Sequence, residues 1–222
     1  MLVKTHSRPA GALALTLTLT PRQAEILDRA AEVVAEAGLA NLTMKRVAER
    51  VGFTEPAIYR HFAGKRALVL GLVDRLGERL LGTMRGIAAD RSLAPRARLL
   101  GMVRHHVQVL RATRGLPILL LAEGLASGDE ELVARMGGVM RPYLGLLAGL
   151  LAELELPVGL APERQASLFI GLPAALGMQL RAYPDLALDD AEADALVGYY
   201  VRALTTAVPP GPAAVRAPED LP

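Results

Sequence analysis

The chain has 222 residues, which is enough to bury a hydrophobic core in one or two domains without disulfides or a structural metal. It has no cysteine, so disulfides, thiolate metal sites and cysteine nucleophiles are excluded, and the composition fits a reducing cytoplasm. The net charge of +2 excludes no class of partner, whereas the lack of an apolar run of ~18 residues excludes a membrane-spanning helix. We therefore expect a cytoplasmic protein that is not bound to a membrane.

The two ends of the chain differ from its middle in composition. Lys4 and Arg8 precede an apolar stretch over residues 10–19, an order typical of a signal peptide. Threonines interrupt this stretch, however, and its Ala-x-Ala motif lies inside the apolar part, so we favour a flexible N-terminal arm over residues 1–19. Residues 208–222 contain five prolines and predict a disordered tail.

Between these ends the pattern is helical, and no segment predicts a convincing strand. The first predicted helix covers residues 21–37, with Thr20 as its cap and Gly38 as its stop. Long helices are then predicted at about residues 65–88, 96–113, 116–125, 129–154, 162–183 and 190–207. Start signals for the last three are Ser127 with Glu130, Pro162, and Asp189. Pro142 and Pro173 fall inside two of these helices, where we expect kinks.

Two short helices after the first have the size and spacing of a helix-turn-helix. One covers residues 44–51 after the cap Thr43. The other covers residues 55–62 after the cap Thr54. Around them, residues 39–66 hold six basic side chains against two acidic ones, whereas the rest of the chain has a net charge of −2. A basic N-terminal module on a near-neutral remainder indicates a surface for nucleic acid.

The second short helix would enter a DNA major groove about 12 Å wide, so its first turn should carry small or polar side chains. Ile58 and Phe62 would anchor its buried side. The side chains expected to meet base edges or phosphates are Thr54, Glu55, Pro56, Ala57, Tyr59, Arg60 and His61. Two helix starts add expected phosphate contacts, namely Thr43 with Lys45 and Arg46, and Gly64 with Lys65. Glu55 has two interpretations, because it either accepts a hydrogen bond from cytosine N4 or merely favours the helix N-terminus.

A resemblance to the TetR family of regulators lies in the residues from Gly52 to Lys65, which read Gly-Phe-Thr-Glu-Pro-Ala-Ile-Tyr-Arg-His-Phe-Ala-Gly-Lys. These residues are similar to the family's recognition-helix signature, and the similarity extends over about residues 21–70. The resemblance implies an all-α homodimer that binds double-stranded DNA at an inverted-repeat operator. It also implies a three-helix DNA-binding domain over residues 20–64, followed by a helical effector-binding and dimerisation domain over residues 65–207.

The resemblance further implies a role for each matching residue. Thr43, Tyr59, His61 and Lys65 would contact phosphates, and Thr54 to Ala57 with Arg60 would face the bases. Pro56 departs from the family pattern, in which glycine or another small residue is frequent. Because proline has no backbone N–H, contact with a base at that position is in doubt, although the helix start is not.

The second half of the chain gives weaker signals for an effector pocket. Helical spacing puts His106 on the buried side of its helix, where it either meets a ligand or forms a hydrogen bond within the core. The other candidate lining residues, which ordinary core packing would also explain, are Met102, Met136, Met140, Tyr143, Phe169 and Met178. Arg141 and Gln179 are possible polar anchors, and the mostly apolar lining favours a hydrophobic effector. The four histidines have no metal-ligand spacing, so we expect no metal and no cofactor.

Each of the last two helices carries an apolar stripe. The first stripe contains Leu168, Leu172, Ala175, Leu176 and Leu180, and the second contains Leu196, Val197, Tyr200, Val201 and Leu204. The stripes either form a four-helix bundle between two subunits or close the core of one subunit. Because a twofold reader of DNA needs a dimer, we favour the interface.

Three classes of function compete for this sequence. An enzyme is disfavoured because the sequence has no nucleophile elbow, Walker loop, dinucleotide fingerprint or His-Glu-x-x-His motif. An interaction protein that has lost DNA binding is disfavoured by the intact Tyr59 and Lys65. We therefore expect a transcriptional regulator, with repression as the family default, that a small molecule releases from DNA.

Overall fold

The computed structural model of the chain describes residues 19–154, 156 and 160–206. The predicted arm, up to residue 18, and the predicted tail lie outside these residues. The helices are α1 Pro21–Ala37, α2 Met44–Val51, α3 Glu55–Tyr59, α4 Lys65–Ala89, α5 Pro95–Ala112, α6 Leu116–Ser127, α7 Glu130–Leu154, α8 Pro162–Gln165, α9 Leu168–Ala182 and α10 Asp190–Thr205. Short 3-10 turns occupy Leu39–Asn41 and Pro184–Leu186, and no strand occurs within the described ranges. Among the described helices, none combines the length and the apolar character needed to cross a membrane.

Capping residues in the sequence predicted some of the helix starts correctly and one of them wrongly. Thr20 and Gln23 form a capping box at α1, and Asp189 forms one with Glu192 at α10, so both predicted starts are confirmed. The predicted cap of α7 at Ser127 is wrong. The hydroxyl of Ser127 instead donates to a carbonyl of α6, and Asp129 accepts a hydrogen bond from the backbone N–H of Leu132.

Two predicted helices are shorter than expected. The helix expected over residues 55–62 ends at Tyr59, after which a turn carries Phe62 into the core. The helix expected over residues 162–183 is divided into α8 and α9. Between them the hydroxyl of Ser167 donates to the carbonyl of Arg164, and the backbone bonds to the following residues tighten to i→i+3 spacing.

Two hydrophobic clusters hold the helices together, and α4 and α7 belong to both. The first cluster joins α1, α2, α3 and α6 to the N-terminal parts of α4 and α7. The second joins α5, α9 and α10 to the remaining parts of α4 and α7. The helices that would form the DNA-binding domain therefore share a core with helices beyond residue 65. The division of the chain into domains at that point stays a prediction.

Ion pairs fasten α4 to its neighbours on either side. Asp28 of α1 binds Arg75 at 2.9 Å and Arg79 at 2.9 Å, which fixes the first helix against α4. On α7, Arg135 binds Asp74 at 2.7 Å, with both side chains only 14% exposed. Burial raises the pKa of Asp74 even though Arg135 opposes this shift. The orientation of α4, which begins beside the helix-turn-helix, is thus fixed from both sides.

Candidate nucleic-acid interface

The helix-turn-helix is held by a small apolar base. Ile58 is fully buried and Phe62 is 6% exposed, as their spacing predicted. Gly52 ends α2 in the left-handed conformation, with a φ of 82°, which favours glycine. Its N–H and that of Phe53 both donate to the carbonyl of Ala48. These contacts fix the angle between α2 and α3, and so the side of α3 that faces solvent.

The predicted DNA-contacting residues lie at the surface of this unit. Exposed residues are Thr43, Lys45, Arg46, Thr54, Glu55, Pro56, Tyr59, Arg60 and Lys65, whereas Ala57 and His61 are half-buried. The amino group of Lys65 donates to the carbonyl of Ala40 at 3.2 Å. This hydrogen bond brings the start of α4 beside the turn that precedes α2, so the two predicted phosphate-binding helix starts are neighbours.

The basic residues of this region divide into two groups. The guanidinium of Arg50 donates to both carboxylate oxygens of Glu36, and Arg66 binds Asp129 at 3.0 Å. The hydrogen bonds from Arg50 lower the pKa of Glu36. The other four basic residues take part in none of the ion pairs among the described residues; they are Lys45, Arg46, Arg60 and Lys65. The positive charge available to a ligand therefore lies on the α2 start, α3 and the α4 start.

The two threonines expected to cap helices behave differently. The hydroxyl of Thr43 accepts a hydrogen bond from the N–H of Arg46 at 3.2 Å and caps α2. Thr54 occupies the corresponding position before α3, but its side chain makes no cap hydrogen bond. Pro56 has no N–H to donate, and the N–H of Ala57 bonds the Thr54 carbonyl instead. The predicted side-chain cap at Thr54 is therefore wrong, and its exposed hydroxyl is left to other partners.

One basic residue beside α3 has no part in the motif and was missed by the sequence analysis. Arg22, in the first turn of α1, lies with its guanidinium carbon 4.8 Å from the centre of the Phe53 ring. It helps to line an open cleft of about 370 Å³ together with Gly52, Phe53, Thr54, Ala57, Arg60 and His61. The only sequence signal for this neighbourhood is the exposed position of Arg22 in the first turn, which by itself points to no partner.

The predicted effector residues do not form one group. Met102, Tyr143 and Phe169 are fully buried in the second cluster, and Met140 packs against it half-buried. Met136 belongs to the first cluster, with the helix-turn-helix. Met178 is 58% exposed on the outer face of α9, so its predicted place in the lining is wrong for the single chain. Arg141 is also exposed.

His106 lies on the buried side of α5, as its spacing predicted. Its Nδ1 lies 3.3 Å from the hydroxyl of Tyr143, and the two rings meet edge to face. Burial lowers the pKa of His106 to about 4 and raises that of Tyr143. At neutral pH this pair is an uncharged polar group inside an apolar cluster.

The predicted stripe of α9 is divided between core and surface, whereas the predicted stripe of α10 lies against the subunit's own core. Leu176, Val197 and Val201 are buried in the second cluster, so for these residues the stripe closes the subunit's own core. Exposed apolar residues on α9 and α10 include Leu168, Ala175, Met178 and Tyr199. This surface remains available for a partner.

A second groove, of about 450 Å³, lies between α5 and α10. Arg104 binds Asp194 there at 2.8 Å, and Arg111 binds Asp190 at 2.8 Å. Its arginines bind aspartates that also line the groove, whereas no carboxylate is among the described residues that line the cleft beside α3.

Comparison with known proteins agrees with this geometry. Residues 26–72 match the family described as "Bacterial regulatory proteins, tetR family". The chain is 25% identical over 133 residues to the fatty acid metabolism regulator protein of Bacillus subtilis, a match that covers 60% of this chain and 68% of the relative. It is 29% identical over 141 residues to the nucleoid occlusion factor SlmA of Marinomonas sp., and this match covers 64% of this chain and 71% of the relative. In structure it is similar to the transcriptional regulator FadR of Bacillus subtilis, with a TM-score of 0.67, 21% identity, and coverage of 83% of this chain and 98% of that chain.

These matches concern different parts of the molecule. The family match contains the helix-turn-helix and the start of α4. The structural likeness extends the shared fold through most of the remaining helices. Proteins of this family are transcriptional regulators that bind DNA and are not enzymes. Residues 26–72, which contain most of the helix-turn-helix unit and the start of α4, thus match the TetR family of bacterial regulatory proteins.

Proposed function

We propose that this regulator is a cytoplasmic repressor that binds an inverted-repeat operator as a homodimer. The observation that carries the proposal is the exposed first turn of α3, flanked on both sides by basic side chains that form no ion pair with any carboxylate of the described residues. Thr54, Glu55 and Arg60 would select the sequence, and Thr43, Tyr59 and Lys65 would hold phosphates. A twofold protein reads two half-sites about 34 Å apart, which requires two copies of the chain.

Random-site selection with the purified protein tests the operator. We expect an enriched inverted repeat, and a flat result without a palindrome would contradict the proposal. Two basic residues of α2 provide a matched pair of variants, because Arg46 takes part in no ion pair among the described residues whereas Arg50 is bound to Glu36. Arg46→Gln should weaken binding to all duplexes and reduce the salt slope by about one, while Arg50→Gln should leave that slope unchanged.

The exposed apolar residues of α9 and α10 would form the subunit interface. Met178→Glu and Tyr199→Glu would each place a charge on this surface, where the parent side chains are 58% and 64% exposed. Because neither side chain supports the subunit's own core, we expect monomers that retain their helicity. Sedimentation velocity together with circular dichroism measures both properties. Dimers that persist in the double variant would place the interface elsewhere.

The effector would be a hydrophobic small molecule that enters the second cluster beside His106 and Tyr143. This pair supports the proposal because it offers one uncharged polar contact among apolar side chains. The FadR structure named above is a complex with stearoyl-CoA, which makes that compound a useful first probe. Binding would favour a dimer whose α3 helices no longer match the half-sites.

Native mass spectrometry of the purified protein, followed by DNA-binding titrations, tests this part. We expect a co-purified apolar molecule, or release from the operator by stearoyl-CoA but not by coenzyme A alone. Tyr143→Phe should shift the concentration needed for release while leaving DNA affinity unchanged. If no bound molecule is found and a panel of hydrophobic compounds leaves DNA binding unchanged, the effector proposal is wrong. A promoter fusion that rises rather than falls when the regulator is deleted distinguishes repression from activation.

A further inference from the structure

The cleft beside α3 has a one-sided charge. Its basic side chains are Arg22, Arg60 and His61, contributed by α1 and by the end of the recognition unit. Among the described residues, those that line the cleft include no carboxylate. The groove between α5 and α10 is different, since two aspartates there bind its two arginines. An open, positively charged concavity whose own lining supplies no carboxylate is suited to an anion.

Arg22 has one partner inside the cleft, the Phe53 ring, and one carboxylate partner that does not line the cleft. Its guanidinium lies over the Phe53 ring at 4.8 Å, a cation–π contact that restricts the side chain. Its acidic partner, Glu25, binds it at 2.6 Å, but the two side chains are 50% and 47% exposed. Surface ion pairs of this kind contribute little to stability, so a phosphate can replace Glu25 at low cost. A guanidinium presents several N–H donors that match phosphate oxygens.

We infer that this cleft binds one phosphodiester group of the DNA backbone and that Arg22 is a phosphate contact outside the recognition motif. The inference rests on the proposed function, because the cleft adjoins the turn of α3 that would enter the major groove. The contact would fix the position of α1 relative to the strand that α3 faces. It carries no sequence information, since every nucleotide presents the same phosphodiester.

The first helix supplies a matched control. Arg29 pairs with Glu32 at 2.6 Å, with side chains 48% and 40% exposed, so its pair has the same spacing, length and exposure as that of Arg22 and Glu25. Arg29 does not line the cleft. Arg22→Gln and Arg29→Gln therefore remove the same charge from the same helix at two different places. Arg22→Lys keeps the charge at the cleft without the planar guanidinium.

The measurement is the binding of the full chain to two labelled 30-base-pair duplexes, one of random sequence and one from site selection, over a series of salt concentrations. Arg22→Gln should weaken binding to both duplexes by a similar factor, about tenfold, and should reduce the slope of log K against log salt by about one. Arg22→Lys should keep the parent slope. Arg29→Gln should behave as the parent, and melting temperatures by circular dichroism should agree among all four proteins.

Each other outcome overturns the assignment. A parent slope in Arg22→Gln, or an equal loss in Arg29→Gln, would mean that the cleft binds no phosphate. A loss confined to the selected duplex would make Arg22 a base contact instead. If the parent protein binds neither duplex, the proposed function fails and this inference fails with it. If the parent binds DNA and Arg22→Gln keeps the parent slope, only the assignment of Arg22 is wrong.

Discussion

Arg98 of α5 has the least exposed side chain of the arginines that form ion pairs among the described residues, and it tests how burial affects the contribution of a charge to stability. Its side chain is 3% exposed, and its guanidinium donates to Glu153 of α7 at 2.6 and 3.4 Å. It also donates to the carbonyls of Ala88 at 3.0 Å and Leu93 at 3.3 Å. One side chain thereby connects α5, α7 and the turn after α4.

Arg98→Met should destabilise the protein strongly while keeping the side-chain volume and the helix propensity similar. The variant leaves the carbonyls of Ala88 and Leu93 without this donor, and each unsatisfied buried acceptor costs about 1–3 kcal/mol. We take about 3 kcal/mol for the two carbonyls together and add nothing for Glu153, because it is 32% exposed and keeps Arg91 as a partner. For a chain of this length each kcal/mol lowers the melting temperature by about 2–4 °C, so the expected decrease is about 6–12 °C.

The control variant uses the same carboxylate. Arg91 binds Glu153 at 2.8 Å, but its side chain is 71% exposed. Arg91→Gln should therefore change the melting temperature by only about 1 °C. The assay is thermal unfolding followed by circular dichroism at one fixed protein concentration, because association between copies of the chain would make the stability depend on concentration. Equal decreases in the two variants would refute the reasoning that burial, and not the ion pair itself, sets the cost.

Three further results are expected from stability measurements. Gly77→Ala should cost about 1–3 kcal/mol, because its Cβ would lie 2.7 Å from a side-chain carbon of α7, whereas Gly82→Ala, with open space around it on the same helix, should stabilise by about 0.5–1 kcal/mol. Folding lowers the pKa of His106 from 6.5 to about 4, so its contribution to the free energy of unfolding should be complete above pH 6.5 and should decrease as the pH falls toward 4. In His106→Gln the melting temperature should depend less on pH between these two values. Thr43→Ala should lose about 1 kcal/mol of helix capping, while Thr54→Ala should melt as the parent does yet bind DNA with altered sequence preference.

Local signals predicted the parts of the fold that depend on neighbouring residues. The helix starts at Thr20 and Asp189 were predictable from the sequence, because the capping box that forms at each needs only residues three positions apart. The anchors Ile58 and Phe62 were readable for the same reason, since their spacing puts both on one side of the helix-turn-helix.

Predictions failed where distant residues decide the outcome. Helical spacing shows that Met136 and Met178 lie on apolar faces, but not which neighbour covers each face. Thr54 precedes a helix whose second residue is Pro56, which has no backbone N–H for the threonine hydroxyl to accept from, so the capping signal of Thr54 and the effect of Pro56 oppose each other. The contact between Arg22 and Phe53 joins residues 31 positions apart, beyond the reach of any motif.

The membership of α4 in both hydrophobic clusters limits how this protein can be recombined with its relatives. A chimera joined at residue 64 would retain the recognition unit but remove Leu68, Leu72 and Leu76, which are 7% exposed or less in the first cluster. The buried side of the recognition unit, formed by Ile58 and Phe62, would then pack against a helix from another protein. A junction beyond Leu76 carries these side chains along with the recognition unit. The first cluster also contains residues of α6 and the start of α7, so even that graft needs an acceptor whose own helices match this surface.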